Sequence, residues 1–358
     1  MKRFFLLFTL IISLTAISFA QDVKDKVKIS GLMYGDYFYN INNIDGNQTN
    51  MNGFQFRRIY FTTDYTVADD FDARFRLESD QSANSNTAGG KLGVMVKDAY
   101  LKWKGVFSGS DMIFGLSPTP AFDISEAAWG YRSLEKTIMD LNGIVSSRDL
   151  GVDLRGKITE NGSVNYWAKI GNNNSNAPEN DKFKRYYLLL QFKPIEGFQA
   201  TIYGDYAAKA SIKDVNDGNG FKSNDAIVAA LFLNYQMKND FALGFEGFTR
   251  TINNNFPGAT GKSVLANQSS LGLSFWAWAS LAEKFRLVAR YDNFNNNTDN
   301  DNDQTTASLI LAGLDYRVAK NVSIIPNVEV LTYKNPKNAN ASTSSSNLAG
   351  RVTFAFTF

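Results

Sequence analysis

From residue 27 onward the chain alternates apolar and polar side chains with period two, in runs of about ten residues separated by Asn-, Asp- and Gly-rich stretches. Successive side chains on a strand point to opposite faces, so each run predicts a strand with one greasy and one polar side. The clearest run is 71–80, where Phe71, Ala73, Phe75, Leu77 and Ser79 alternate with Asp72, Arg74, Arg76, Glu78 and Asp80. Every polar position in it is charged. A soluble sandwich has no place for such a face, whereas the wall of a hydrated lumen does. Leu150, Val152 and Leu154 alternate in the same way with Asp149, Asp153, Arg155 and Lys157. So do Phe198, Ala200, Ile202, Gly204 and Tyr206 with Gln199, Thr201, Tyr203 and Asp205, and Phe285, Leu287, Ala289 and Tyr291 with Arg286, Arg290 and Asp292. In the last eleven residues Leu348, Gly350, Val352, Phe354, Phe356 and Phe358 share one face. Ala349, Arg351, Thr353, Ala355 and Thr357 share the other.

The connections alternate in length. Seven short turns are predicted near 68–70, 105–110, 159–162, 194–197, 238–240, 282–284 and 319–321. Eight long polar loops are predicted at 40–53, 81–91, 117–146, 172–182, 209–224, 253–267, 293–304 and 334–347. Fifteen connections join sixteen strands, an even number that puts both ends of the chain on the short-turn side, as in barrels with short periplasmic turns and long external loops. Two segments fit less well: 111–116 is short, and 268–281 has no clear face. The fold expected is all-β, a transmembrane antiparallel β-barrel of about 16 strands, its last strand paired with its first. A barrel of that size encloses water, whereas about eight strands are filled by side chains.

Composition agrees with strands that spread their apolar residues over alternate positions. The chain has 28 Phe and 16 Tyr, yet its mean hydropathy is −0.25. Lys2 and Arg3 precede an apolar run at 4–12, and Ser18, Phe19 and Ala20 precede Gln21, which predicts a signal peptide over 1–20. One barrel domain over 21–358 and a place in the bacterial outer membrane follow. Without Lys2 and Arg3 the 37 basic residues become 35, equal to the 35 acidic ones. A neutral chain with interleaved charges is no nucleic-acid binder. There is no Cys and no His, so disulfides, thiol nucleophiles and imidazole chemistry are excluded. No enzyme activity and no cofactor is expected. Asp299, Asp301 and Asp303, and Asp214, Asn216, Gly218 and Asp225, have spaced oxygen donors, but solvated polar loops explain them and no metal site is expected.

The third long loop differs from the others. Pro118 and Pro120 end the strand before it, because proline cannot donate to a ladder. A helical segment is predicted next, capped by Asp123 with Glu126 three residues on and ending near Gly143. Phe122, Trp129, Tyr131, Leu134, Ile138, Met139 and Leu141 require something to bury them. The expectation is an inward-folded third loop at about 117–146. Its Glu126, Arg132, Glu135, Lys136 and Asp140 would line a constriction opposite Arg58, Arg74, Arg76, Lys102, Arg155 and Arg286.

Two segments carry a family resemblance: 54–78 (FQFRRIYFTTDYTVADDFDARFRLE), and 98–134, which begins DAYLKWK and includes FGLSPTPAFDISEAAWGYRSL. An Arg-Arg strand, a tight turn, a charged strand, an Asp-Ala-Tyr strand and a Gly-x-x-x-x-Pro strand end resemble the phosphate-selective porin O and P family. The terminal Phe resembles the closing strand of bacterial outer-membrane proteins, where it serves as an assembly signal. The porin resemblance implies a sixteen-stranded channel, a homotrimer, with basic residues attracting anions, phosphate among them. In this chain Asp72, Glu78, Asp80, Asp98, Asp153, Asp205, Glu246, Asp292 and Glu329 match the bases, a departure from that anion-selective pattern. The expected partners are small hydrophilic solutes or inorganic anions and outer-membrane lipid. The alternative is a structural or receptor barrel that binds partners through its external loops.

Overall fold

The computed structural model describes residues 26–79, 93–214, 220–257, 265–299, 305–334 and 345–358. Sixteen strands form one closed antiparallel barrel. Its first half is β1 (Val27–Asn42), β2 (Asn52–Ala68), β3 (Phe71–Ser79), β4 (Met95–Phe107), β5 (Ser110–Pro118), β6 (Arg148–Lys157), β7 (Val164–Gly171), β8 (Arg185–Phe192) and β9 (Phe198–Ala207). In the following loop β10 (Ile212–Lys213) and β11 (Phe221–Lys222) make a separate two-stranded sheet. The wall resumes with β12 (Ala226–Met237), β13 (Phe241–Pro257), β14 (Leu265–Ala282), β15 (Phe285–Asn295), β16 (Thr306–Ala319), β17 (Val322–Lys334) and β18 (Ser345–Thr357). Each barrel strand pairs with the one before it, and β9 pairs directly with β12.

The seven short turns and eight long loops fall where the alternation predicts them. The sixth loop is shorter than expected, because β13 runs to Pro257 and β14 starts at Leu265. β5 is longer than the 111–116 read from sequence, and its final ladder pair is Pro118 with Arg148. The segment expected to be a signal peptide and Asp80 lie outside the described residues.

Burial is inverted relative to a soluble protein. Leu188, Ile202, Leu243, Phe275, Leu287 and Ile310 are exposed on the outer wall, while Asp36, Glu78, Asp98, Asp153, Lys169 and Asp292 are buried inside. Only an apolar surrounding makes both halves of that arrangement favourable. Beside the short turns, aromatic pairs form a girdle of the kind that sits at a membrane interface: Phe71 with Trp103 at 5.6 Å and Phe285 with Tyr316 at 4.9 Å between ring centroids.

The seam runs from Leu32 opposite Thr357 to Asn42 opposite Leu348. It ends on a reciprocal pair, Gly31 N–H to Phe358 O at 2.9 Å and Phe358 N–H to Gly31 O at 3.1 Å. Without β18 both β1 and β17 would present open edges to hydrocarbon, at several kcal/mol per unsatisfied peptide group. A variant truncated before residue 348 is expected to give no protease-resistant, heat-modifiable barrel on refolding. Recovery of that species on a gel would show that closure does not depend on this strand.

Candidate functional site

Loop 119–147 folds into the lumen, because its apolar side chains find an apolar inner wall there. Ala121, Phe122, Ile138, Met139, Ile144 and Val145 pack with Trp167, Tyr187, Leu189, Tyr203, Val228 and Phe248. Trp129, Tyr131 and Leu134 pack with Phe232, Ala242, Trp276, Trp278, Val288, Leu311 and Ile325. The docking wall thus spans β7 to β17. It also resolves the face of β14: Trp276 and Trp278 point inward against the loop while Leu271 and Phe275 point outward.

The helix expected in the loop is two short ones, α1 (Asp123–Trp129) and α2 (Ile138–Leu141). Gly130, left-handed at φ 68°, ends α1 by donating its N–H to Glu126 O at 3.1 Å. Asp123 is not the cap. The N-cap is Phe122, no side chain caps the helix, and Asp123 lies in the first turn. Glu126 is engaged by Arg132, so it is not available to close a capping box.

Two bulges then aim charge at the loop from the opposite wall. Tyr34 faces Arg58 and Gly35 faces Phe56, leaving Arg57 as an extra residue on β2. Arg76 faces Asp98 and Leu77 faces Val96, leaving Lys97 extra on β4. A bulge breaks strict alternation. Neighbouring residues Arg57 and Arg58, and Lys97 and Asp98, can therefore both point inward.

Their contacts form one network. Arg57 donates to the carbonyls of Ser133 at 3.2 Å and Leu134 at 2.5 Å and lies 3.4 Å from the Glu135 carboxylate. Glu78 is shared by Arg58 at 2.7 Å and Lys97 at 2.8 Å. Asp98 is shared by Arg76 at 3.1 Å and by Arg148 at the loop's end. Asp36 takes Arg351 at 3.1 Å. On the loop, Arg132 is held by Glu126 and by Asp140, the latter at 2.6 Å.

Two carboxylates facing one guanidinium do not titrate alike. Burial pushes the Glu126 carboxyl upward against the pull of Arg132, with Asp140 and Asp123 adding to the rise. Burial also opposes ionisation of Asp140, but Arg132, by charge and by hydrogen bond, and Lys136 outweigh it and hold that carboxyl below its ordinary value. Glu126 is therefore the titratable member of the cluster.

The structure brings together Arg58, Arg76, Glu126, Arg132, Glu135 and Asp140 at the loop's charged edge and the β1–β4 wall facing it. Lys136 acts there through its charge on Asp140, while its backbone carbonyl accepts from Arg290 of β15 at 2.5 Å. Four expected wall residues lie elsewhere. Arg74 pairs with Asp64 at 2.6 Å and Lys102 with Asp111 at 2.7 Å, both toward the short turns. Arg155 and Arg286 lie flat on Trp167 and Trp278, each 3.4 Å from the ring centroid. Sequence reasoning missed Arg57, Lys97, Arg148 and Asp36. The signal for Arg57 was the Arg-Arg doublet, since two consecutive charges in a strand of this kind call for a bulge.

Solved structures share this architecture. Salmonella typhi OmpF, in complex with daunomycin, superposes at a TM-score of 0.64 with 15% identity, over 93% of this chain and 97% of that one. The fold is that of the outer-membrane porins. An anion-selective porin from Comamonas acidovorans gives 0.64 at 13% identity over 93% and 99%, and the channel DcaP of Acinetobacter baumannii 0.63 at 12% over 93% and 97%. No protein-family model and no curated protein matches the sequence. The porin O and P resemblance therefore rests on the two strand segments alone.

Among the described residues no group of three or more acidic side chains is placed to hold a metal ion. Asp301, Asp303, Asn216 and Gly218 lie outside the described residues. Asp299 accepts from Ser269 N–H at 2.8 Å, and Asp225 accepts from Tyr206 and Ser223.

Trp129 anchors the porin fold's inward loop. It is fully buried, 5.5 Å from Trp276 between ring centroids, and its indole N–H donates to Glu135 O at 2.9 Å. Trp129→Ala should weaken loop docking by about 3–5 kcal/mol, the cost of emptying such a site. Limited proteolysis is expected to cut within 119–147 while the barrel stays heat-modifiable. Unchanged protection of the loop would show that the indole does not anchor it.

Proposed function

We propose that this protein is a general porin of the bacterial outer membrane, a passive channel for small hydrophilic solutes and ions, narrowed by its third loop. One observation carries the proposal: the loop spends its apolar side on the β7–β17 wall, which leaves its charged edge facing the charged β1–β4 wall. Water reaches that gap, since the side chains of Glu126 and Arg76 retain 30% and 20% exposure inside the barrel. A solute there passes between fixed, opposed charges that favour dipolar species and reject apolar ones, which would displace ordered water. The chemistry is non-enzymatic, and trimeric assembly follows the family resemblance.

Selectivity in this reading is weak near neutral pH. Each base at the gap has a carboxylate partner: Arg58 and Lys97 have Glu78, Arg76 and Arg148 have Asp98, and Arg132 has Glu126 and Asp140. An anion preference, phosphate included, appears when one carboxylate is neutralised. Deleting residues 123–140 is expected to raise single-channel conductance in planar bilayers. No conductance from the folded wild-type chain would sink the channel reading, and an unchanged conductance in the deletion would remove the loop from the constriction.

The pH dependence has a definite sign. Glu126, with its carboxyl raised, takes up a proton at higher pH than an ordinary glutamate, while Asp140 stays ionised. As pH falls from about 7 towards 4, the gap loses a negative charge and the anion-over-cation permeability ratio should rise. The rise should be up to about thirtyfold, because a unit charge a few ångströms away acts through water with about 1 kcal/mol on each ion, and with opposite sign on anion and cation. Reversal potentials in a salt gradient measure it, and Glu126→Gln should give the acid value at neutral pH. A pH response unaltered in that variant would assign the titration to another group.

A further inference from the structure

Beneath the third loop, on the short-turn side, the lumen holds a cavity of about 460 Å³ bounded by the loop's underside and the inner faces of β14 to β18 and β1. Its charge balance departs from the pairing seen at the gap above. Arg132, Arg286, Arg317 and Lys320 line it against a single carboxylate, Asp315. Asp315 is already taken: it accepts from the Tyr131 hydroxyl at 2.9 Å and from Arg317 at 3.3 Å. Arg132 is held by Glu126 and Asp140.

Arg286 is the exception. It is 9% exposed, its Nε is buried with no hydrogen-bond partner, its side-chain hydrogen bond is to the neutral Tyr131 hydroxyl, and its guanidinium lies 3.4 Å from the centroid of the Trp278 ring. A desolvated guanidinium short of acceptors is costly, and its strongest remedy is a carboxylate held by paired N–H donors. Part of the lining around it is apolar, from Leu32, Ala127, Ala128 and Ala355, beside the polar Ser133, Asn321 and Ser323. Inorganic anions gain nothing from such a surface, whereas a flat ring does.

We propose that this cavity is a binding subsite for small aromatic carboxylates. The carboxylate accepts from Arg286, Lys320 adds a second positive charge, and the ring lies against the apolar patch of Leu32, Ala127, Ala128 and Ala355. The proposal rests on the porin reading for how such a solute arrives, but binding itself requires no conduction.

The test is calorimetric titration of the folded full-length barrel in detergent with benzoate, benzyl alcohol and inorganic phosphate. Benzoate should bind at least tenfold more tightly than either of the others. Arg286→Gln should weaken benzoate about tenfold, the value of a charge-assisted pair. Arg286→Lys should fall between, since it keeps the charge and loses the planar fork. Heat-modifiability on a gel shows that each variant is folded, and the Lys variant carries the comparison if the Gln variant is not. Absence of benzoate binding, equal affinity for phosphate, or an affinity unchanged in both variants overturns the subsite. A barrel that binds benzoate yet conducts no ions would overturn the porin reading and leave the subsite standing. A conducting barrel that does not bind benzoate does the reverse.

Discussion

Hydrocarbon offers a peptide group no hydrogen-bond partner, so a chain that crosses it with strands has to close its sheet on itself. In this protein that closure is the ladder between β1 and β18, ending on the reciprocal Gly31 and Phe358 bonds. Once the sheet is closed its two faces meet different solvents. Leucine, isoleucine and phenylalanine then belong outside and charge inside. The alternation along the chain, the aromatic girdle and the inverted burial are consequences of that one constraint.

Closure creates a second problem, an interior too wide for side chains to fill. The third loop answers it on one side only. Its indole, aliphatic and aromatic side chains complete a core with inward-facing residues of β7 to β17. That core is a soluble-style interior placed within a membrane barrel, and it holds a charged loop edge at a set position. The bulges at Arg57 and Lys97 do the complementary work from the far wall, where alternation alone would have sent one residue of each doublet into lipid.

Charges taken into such a space have to be paired, because an isolated one loses several kcal/mol of solvation. The lumen shows that pairing in Arg58 with Glu78 and in Lys169 with Asp153, whose side chains are fully buried. Pairing makes the gap near-neutral, so its net charge turns on whichever group is least firmly ionised. Glu126 holds that position on the loop, through burial and a guanidinium shared with Asp140. Arg286, bonded to the neutral Tyr131 hydroxyl and not to a carboxylate, gives the vestibule below a different character.

Period-two alternation and loop length by themselves determined the barrel, the sixteen strands and the side on which the long loops lie, and the apolar residues of the third loop determined that it had to be buried. Those features depend only on which side chains prefer lipid or water and on where strands stop, and both are local properties of residues such as Phe75 and Arg76. Tertiary structure alone decided which charges meet. Arg74 and Lys102 read exactly like Arg76 in sequence, yet strand height places them with Asp64 and Asp111 near the short turns. Register, bulges and an apolar wall assembled from nine strands set those distances. Trp276 and Trp278 illustrate the reason: an inward indole breaks the alternation until the loop that covers it, more than a hundred residues away, is in place.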